Sequence, residues 1–199
     1  MEKVKRFADQ EYWGKPLPGL GDARARLLIV GLAPAAHGGN RTGRMFTGDE
    51  SGNWLFRALH RAGFANQEES TDRNDGLRLK DCYITATLRC APPQNKPLPG
   101  EIRNCHPYLL DTIRFLTHVR VVVGLGRIGF DAALASYREL GLIAYTKHPA
   151  FGHGATYQFD RLTFIASYHP SQQNTFTGKL TRPMLERIFT KSKKICALG

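Results

Sequence analysis

Four unbroken apolar runs punctuate the chain, and amphipathic segments lie between them. Continuous hydrophobicity over the length of a strand is typical of strands that are covered on both faces, as in a parallel sheet. The pattern therefore predicts strands over Arg26–Leu32, Cys82–Leu88, Val119–Leu125 and Leu162–Ser167.

The segments between and after these runs repeat apolar residues at helical spacing. They predict helices over Gly52–Gly63, about Glu101–Leu116, Ile128–Leu140 and from Thr181 towards Cys196. This alternation predicts the α/β class, as a three-layer αβα sandwich with a central, mainly parallel four-stranded sheet. Composition does not change sharply anywhere, so we expect residues 1–199 to form a single domain, with Asn66–Asn74 as a solvated loop.

Parallel strands place the loops that follow them at one edge of the sheet, where ligands of open α/β sheets bind. The loops expected there are GLAPAAHGGN, RCAPPQNKPLPG, GLGRIG and YHPSQQNTFTGK. The connection from residue 31 to residue 52 is far longer than the roughly 2 to 6 residues usual in such units, which indicates a binding loop. GLGRIG lacks the rest of a dinucleotide fingerprint, so we expect Gly124 and Gly126 to allow a tight turn into the following helix.

Charge points to a polyanionic partner. The chain has 28 Lys and Arg against 17 Asp and Glu, a formal net charge of +11, which favours nucleic acid, although a basic surface kept for solubility is the alternative. Neither an apolar run of about 20 residues nor a secretory signal is present in the sequence, so we expect a cytoplasmic protein that does not bind membranes.

Three segments in order, GLAPAAHGGNRTGRMFTGD, RCAPPQNKPLPGE and SYHPSQQNTFTGKLTR, resemble the signature segments of the uracil-DNA glycosylase superfamily, specifically its family 5, or type b. The resemblance extends from about Arg6 to the C-terminus. It implies a monofunctional base-excision enzyme that flips uracil or another deaminated base out of DNA and hydrolyses its N-glycosidic bond. We expect the protein to be a monomer.

The resemblance implies that Phe46 stacks on the flipped base and that Asp49 stabilises the cationic sugar and orients water. The residues alone leave alternatives open. Phe46 is equally consistent with an apolar anchor, and Asp49 stands where a helix beginning near Gly52 needs an N-cap.

The departing base leaves as an anion, and the matching hydrogen-bond donors are His169 and Asn95. Without the resemblance both are ordinary loop residues. The match further assigns substrate-binding roles to Gly31, Ala33, Pro34, His37 and Asn174.

Lys179 and Arg182 match a loop that wedges into the duplex and grips phosphates, although TFTGKLTR also suits a helix start with Thr181 as N-cap. Ala35, Ala36 and Ala86 stand where other families of the superfamily place polar residues. They are typical of family 5 and imply a roomier, less selective pocket that also accepts hypoxanthine or xanthine.

Family 5 members typically carry a 4Fe-4S cluster held by four cysteines. Cys90 and Cys105 match one pair of metal ligands, whereas the family's N-terminal pair is not in this sequence. We expect that the sequence as given starts late, rather than that the cluster has been lost. Cys82 and Cys196 match no ligand position and are expected to be buried thiols.

Two rivals to the glycosylase remain at this point. One is a non-catalytic nucleic-acid-binding module on the same scaffold, which would not depend on Asp49. The other is a hydrolase or transferase of small nucleotides, which would not need the net charge of +11.

Overall fold

A six-stranded sheet forms the centre of the computed structural model, which describes residues 3–198. In chain order the strands are β1 (Leu20–Gly21), β2 (Leu27–Gly31), β3 (Cys82–Ala86), β4 (Val121–Leu125), β5 (Thr156–Phe159) and β6 (Leu162–Ser167). Their spatial order is β1-β3-β2-β4-β6-β5. The four central strands are parallel, and β1 and β5 pair antiparallel at the two edges.

The α/β class and the mainly parallel sheet are confirmed, whereas the predicted number of four strands is wrong. The predicted strands are β2, β3, β4 and β6, and the edge strands β1 and β5 are additional. Strand β1 has two residues, too few for any hydrophobic pattern. The four residues of β5 alternate between exposed and half-buried, as expected for an edge strand that packs little apolar surface.

Helices cover both faces of the sheet. They are α1 (Gly39–Thr42), α2 (Glu50–Arg61), α3 (Pro99–Phe115), α4 (Gly126–Glu139), α5 (Gln172–Phe176) and α6 (Arg182–Ala197). The four longer helices are those predicted, and the short α1 and α5 lie in loops that follow β2 and β6. Among residues 3–198, no helix combines the length and apolarity needed to cross a membrane.

Strand β2 shows why the central strands are apolar throughout. Leu27 and Ile29 pack into the core shared with α2 and α6, whereas Leu28 and Val30 pack into the opposite core with α3 and α4. All four side chains are completely buried, and burying each contributes roughly 1.5–3 kcal/mol. The predicted three-layer arrangement is confirmed.

Two glycines in GLGRIG do different work. Gly126 has a φ of 80°, so it allows the turn from β4 into α4 as predicted. Gly124 instead permits close packing, because a Cβ there would overlap the backbone of Phe130 in α4.

The order of the strands locates a crevice. The chain leaves the central strand β2 for β3 on one side and then crosses to β4 on the other side. The loops after β2 and β4 therefore diverge at the carboxyl ends of neighbouring strands, which is where doubly wound sheets bind ligands.

Candidate active site

A cleft of about 1040 Å³ opens at this edge of the sheet. Its walls come from the loops that follow β2, β3 and β6, together with the N-terminal segment and residues near position 70. Of the predicted site residues, the cleft is lined by Ala33, His37, Asp49, Asn95 and His169. Residues from separate parts of the sequence thus converge as the parallel topology requires.

Asp49 both caps α2 and lines the cleft. Its Oδ1 accepts a hydrogen bond from the Gly52 amide at 2.9 Å, as an N-cap carboxylate does. Burial raises the pKa of Asp49, while the amides of Gly52 and Ser51 act in the opposite direction. The capping and site-residue readings are therefore compatible, since one oxygen caps the helix and the side chain still borders the cleft.

Gly38 makes the room that Asp49 occupies. A Cβ at position 38 would overlap Oδ2 of Asp49, so any larger residue would push the carboxylate or the loop aside. The loop after β2 can therefore pack its backbone directly against the Asp49 carboxylate, because residue 38 has no side chain.

His169 is a neutral imidazole at neutral pH. Burial lowers its pKa to about 4, because the charged form loses hydration in this position. Its backbone carbonyl accepts a hydrogen bond from Asn174 Nδ2 at 2.8 Å. Asn174 therefore positions His169 from behind rather than lining the cleft itself, and a neutral His169 can offer an N–H donor without a cationic charge.

Phe46 lies against His169 and is not among the residues that line the cleft. The two rings are stacked with centroids 5.8 Å apart and planes 29° from parallel. Gly31 gives the ring its space, because a Cβ there would come within 3.1 Å of Phe46 Cζ. Phe46 has a φ of 52°, a backbone conformation that is unusual for a bulky residue.

Asn95 stands at the exposed rim of the cleft, at the end of a 3-10 turn that spans Pro93–Asn95. Gln94 and Asn95 both have left-handed backbone conformations, with φ values of 52° and 57°. Such conformations cost free energy and cluster at functional sites.

The other predicted loop residues differ in their positions. Ala33, Ala35 and Ala36 border the cleft with apolar surface, whereas Gly31 and Pro34 are buried behind it. His37 borders the cleft and is held by Tyr12, whose hydroxyl lies 3.0 Å from Nδ1.

The predicted DNA-binding residues lie outside the cleft. Lys179 Nζ sits 4.8 Å from the centre of the Tyr168 ring, and the Arg182 guanidinium packs over Trp54. Thr181 is the N-cap of α6 as predicted, but its side chain makes no capping hydrogen bond. Phe176, the last residue of α5, is 80% exposed.

Several cleft residues were missed by sequence reasoning. Arg41 lines the cleft, donates to the carbonyls of His37 and Gly48, and packs over the ring of Phe7, which also lines it. Ser70 also borders the cleft, although the surrounding segment was expected to be a solvated loop. Neither contribution has a local pattern in the sequence that would reveal it.

The four cysteines fall into two groups. Cys90 is exposed and Cys105 is partly buried, and burial together with the Cys105 thiolate raises the pKa of Cys90. Cys82 and Cys196 are buried in the core next to α6, as predicted, and burial raises the pKa of Cys196 to about 11. Residues 3–198 contain no group of three or more His, Cys, Asp or Glu side chains placed to hold a metal ion.

Comparison with known proteins adds to this geometry. The model of the uracil DNA glycosylase superfamily matches residues 18–193. The chain is 50% identical to the Type-5 uracil-DNA glycosylase of Mycobacterium tuberculosis over 198 residues, which cover 98% of this chain and 72% of that protein. It is 46% identical to the Type-5 uracil-DNA glycosylase of Thermus thermophilus over 197 residues, covering 98% and 87%.

The fold also occurs among solved structures. A solution NMR structure of a protein from Methanosarcina acetivorans superposes with a TM-score of 0.53 at 13% sequence identity, covering 90% of this chain and 98% of the other. At this identity the likeness concerns the fold alone.

The buried state of His169 predicts an unusual titration. We expect its imidazole to titrate with a midpoint of about 4, well below the ordinary value near 6.5, because burial disfavours the cation. The unfolded chain then binds a proton that the folded chain does not, so the free energy of unfolding should decrease as the pH falls from about 6.5 towards 4. NMR titration of the ring C–H signal, assigned with His169→Gln, measures the midpoint. A midpoint near 6.5 would show that the ring is hydrated.

Proposed function

Because this chain belongs to the uracil-DNA glycosylase superfamily, and within it to the type-5 family, we propose that it removes uracil from DNA by hydrolysing the N-glycosidic bond. The family predicted from the three sequence segments is confirmed by the superfamily match and by the type-5 relatives. The observation that carries the assignment of the site is the convergence of Asp49, Asn95 and His169 on one cleft. A non-catalytic binding module is not favoured, because the relatives are named as glycosylases.

The cleft suits an extrahelical base. A base inside a duplex cannot be reached by catalytic groups, so the enzyme must rotate it out of the stack and enclose it. A volume of about 1040 Å³ exceeds what a nucleobase needs and leaves space for the deoxyribose and a water molecule. Phe46, half-buried behind His169, is the aromatic ring proposed to support the base by stacking once the base has entered.

Asp49 is proposed to act on the sugar. As the C1′–N bond lengthens, the electron pair leaves with the base and positive charge develops on the sugar. The carboxylate stabilises this charge and orients a water molecule, whose oxygen bonds to C1′ and whose proton passes to Asp49 or to solvent. Oδ1 is held by the Gly52 amide, so the hydrogen bond that caps α2 also fixes the acid in place.

His169 and Asn95 are proposed to stabilise the leaving base. The base departs as an anion, and a neutral imidazole N–H and an amide N–H can each donate to its oxygen. Since the pKa of His169 is about 4, the ring contributes as a hydrogen-bond donor and not as a proton donor at neutral pH.

One apolar stretch of the cleft lining supports a broad choice of bases. Ala35 and Ala36 border the cleft where the resemblance places polar residues in other families of the superfamily. A stretch of wall without polar groups leaves none there unpaired when a different base enters, so it discriminates weakly. Hypoxanthine and xanthine are therefore proposed as further substrates.

The net charge of +11 suits the phosphate backbone of the proposed DNA substrate. Lys179 lies in the segment between α5 and α6, and Arg182 is the first residue of α6; both are proposed to contact phosphates beside the flipped nucleotide. The protein is further proposed to act as a monomer, on DNA in the cytoplasm.

The iron–sulfur cluster implied by the family is not complete in the described residues. Cys90 is exposed and Cys105 partly so, and Cys105 is near enough for its charge to raise the pKa of Cys90. A 4Fe-4S cluster needs four thiolates, however, and the other two cysteines are buried in the core. Residues 3–198 therefore do not fit the whole cluster, and no catalytic step above passes through it. Cys90 and Cys105 are proposed as two of its ligands.

Replacing Asp49 tests the proposed reaction. Asp49→Asn should lower the rate of uracil excision by about 10²–10³-fold, the scale of losing one electrostatic catalytic group, whereas DNA binding should persist. Asparagine is also a good N-cap, so α2 should keep its stability. The assay is strand scission of a uracil-containing oligonucleotide after alkali. An unchanged rate would restrict Asp49 to capping, and the absence of scission with the wild-type protein would exclude the glycosylase.

Phe176 tests how the duplex is opened. We expect Phe176→Ala to lower excision from duplex DNA by about tenfold and to affect single-stranded DNA much less, because an exposed wedge matters only where a base must be unstacked. Phe115→Ala is the matched control, since Phe115 is 60% exposed at the far end of α3. Equal losses on both substrates, or in the control, would contradict a wedge.

Iron analysis tests the cluster. Protein expressed anaerobically from the longest reading frame that contains this chain should hold iron and sulfide, and Cys90→Ser should lose them because a ligand is removed. Cys196→Ala should retain them, since Cys196 lies in the core. A wild-type protein without iron, or iron that survives Cys90→Ser, would contradict the assignment.

A further inference from the structure

We propose that the buried ion pair between Arg44 and Asp75 positions the loop that carries Phe46 and Asp49, so that the segment from residue 66 to residue 80 is part of the catalytic apparatus. This inference rests on the proposed glycosylase function. Asp75 lies 31 residues after Arg44 in the chain and outside the three signature segments. It does not line the substrate cleft, and its link to the first signature segment is its ion pair with Arg44.

The ion pair is bidentate and shielded from water. Arg44 Nη1 donates to Asp75 Oδ1 at 2.9 Å, and Nη2 donates to Oδ2 at 2.6 Å. The two side chains are only 8% and 12% exposed. Buried fork-to-carboxylate pairs have defined geometry, and removing one partner leaves the other charge without compensation.

The same guanidinium reaches the residues that precede Asp49. Its Nε donates to Thr47 Oγ1 at 2.9 Å, and Nη2 donates to Ser70 Oγ at 2.8 Å. The hydroxyls of Thr47 and Ser70 lie 2.7 Å apart, and the Gly48 amide donates to the Ser70 carbonyl at 2.9 Å. Both residues immediately before Asp49 are thus fastened to Ser70.

Asp75 in turn organises its own segment. Its Oδ2 accepts from the amides of Thr71 and Asp72, and its Oδ1 accepts from the amide of Leu77. Although burial alone would raise it, the hydrogen bonds from Arg44 and these amides hold the pKa of Asp75 well below its usual range. The carboxylate therefore stays ionised throughout the pH range of an activity assay.

Backbone conformation explains why such a fastening is needed. Phe46 lies between Arg44 and Thr47 and has a φ of 52°, which a bulky side chain adopts only where its surroundings enforce it. Hydrogen bonds from the Arg44 network fix the residues on both sides of it. Without the network we expect the backbone of Phe46 to leave its left-handed conformation, which would move the ring away from His169 and shift Asp49. A displacement of about 1 Å can lower a rate by a factor of about 10².

A second ion pair provides a matched control. Arg26 and Asp81 form a bidentate pair with Nε to Oδ1 at 3.0 Å and Nη2 to Oδ2 at 2.8 Å. They immediately precede β2 and β3, at the opposite edge of the sheet from the cleft. The Arg26 side chain is 40% exposed, so this pair is less buried than that of Arg44, but its bidentate geometry is the same. Asp81→Asn therefore removes a bidentate ion pair without touching the active-site loop.

The experiment compares Asp75→Asn with Asp81→Asn in single-turnover excision of uracil, with enzyme in excess and well below the melting temperature of each variant. We expect Asp75→Asn to be slower by about 10–100-fold at unchanged DNA affinity, and Asp81→Asn to remain within about twofold of the wild-type rate. In a double-mutant cycle, the losses of Asp75→Asn and Phe46→Ala should be less than additive, because part of the effect of Asp75→Asn passes through the Phe46 ring.

Ser70→Ala keeps the test decisive if Asp75→Asn does not fold. It removes the hydroxyl that hydrogen-bonds to both Arg44 and Thr47 but leaves the ion pair and the direct bond from Arg44 to Thr47, and we expect a loss of about 3–10-fold. Wild-type rates in the position 70 and 75 variants, or an equal loss in Asp81→Asn, would overturn the positioning role while leaving the glycosylase intact. A wild-type protein without excision would overturn both.

Discussion

Burial of both faces of the four parallel strands is the constraint on which the rest of this structure depends. It requires helices on each side, and the crossovers that supply them bring the ends of β2, β3 and β6 to the same edge. Asp49, Asn95 and His169 are 46 and 74 residues apart in succession along the sequence, yet one cleft contains them all. The apolar core therefore determines where these three side chains lie, although Asp49, Asn95 and His169 are not part of that core.

The strands and helices that could be predicted are those whose own residues carry the apolar pattern of the element. The central strands and the four long helices are visible because both cores demand continuous or helically spaced apolar residues. The edge strands β1 and β5 could not be found in this way, since a two-residue or half-exposed strand is formed by its pairing partner and not by its own pattern.

The site residues likewise divide into those that could be predicted from the sequence and those that depend on tertiary contacts. Asp49, Asn95, His169 and His37 lie at the cleft because they belong to loops that the topology gathers. The position of Phe46 behind His169 and the support of His169 by Asn174 depend on tertiary contacts. The connection between Arg44 and Asp75 is still less visible, because charged residues in a polar segment usually indicate a solvated surface. Only the fold reveals that this pair is buried.

Asp49 and His169 show how burial prepares the two sides of the proposed reaction. Burial raises the pKa of Asp49 and lowers that of His169, so in both cases burial opposes charge on the side chain. For Asp49 burial is also the largest cause, and the amides of Gly52 and Ser51 act in the opposite direction. The proposed reaction uses Asp49 as a carboxylate, held by the Gly52 amide, and His169 as a neutral donor. That is the combination that an emerging sugar cation and a departing base anion require, and it is obtained by packing and helix capping.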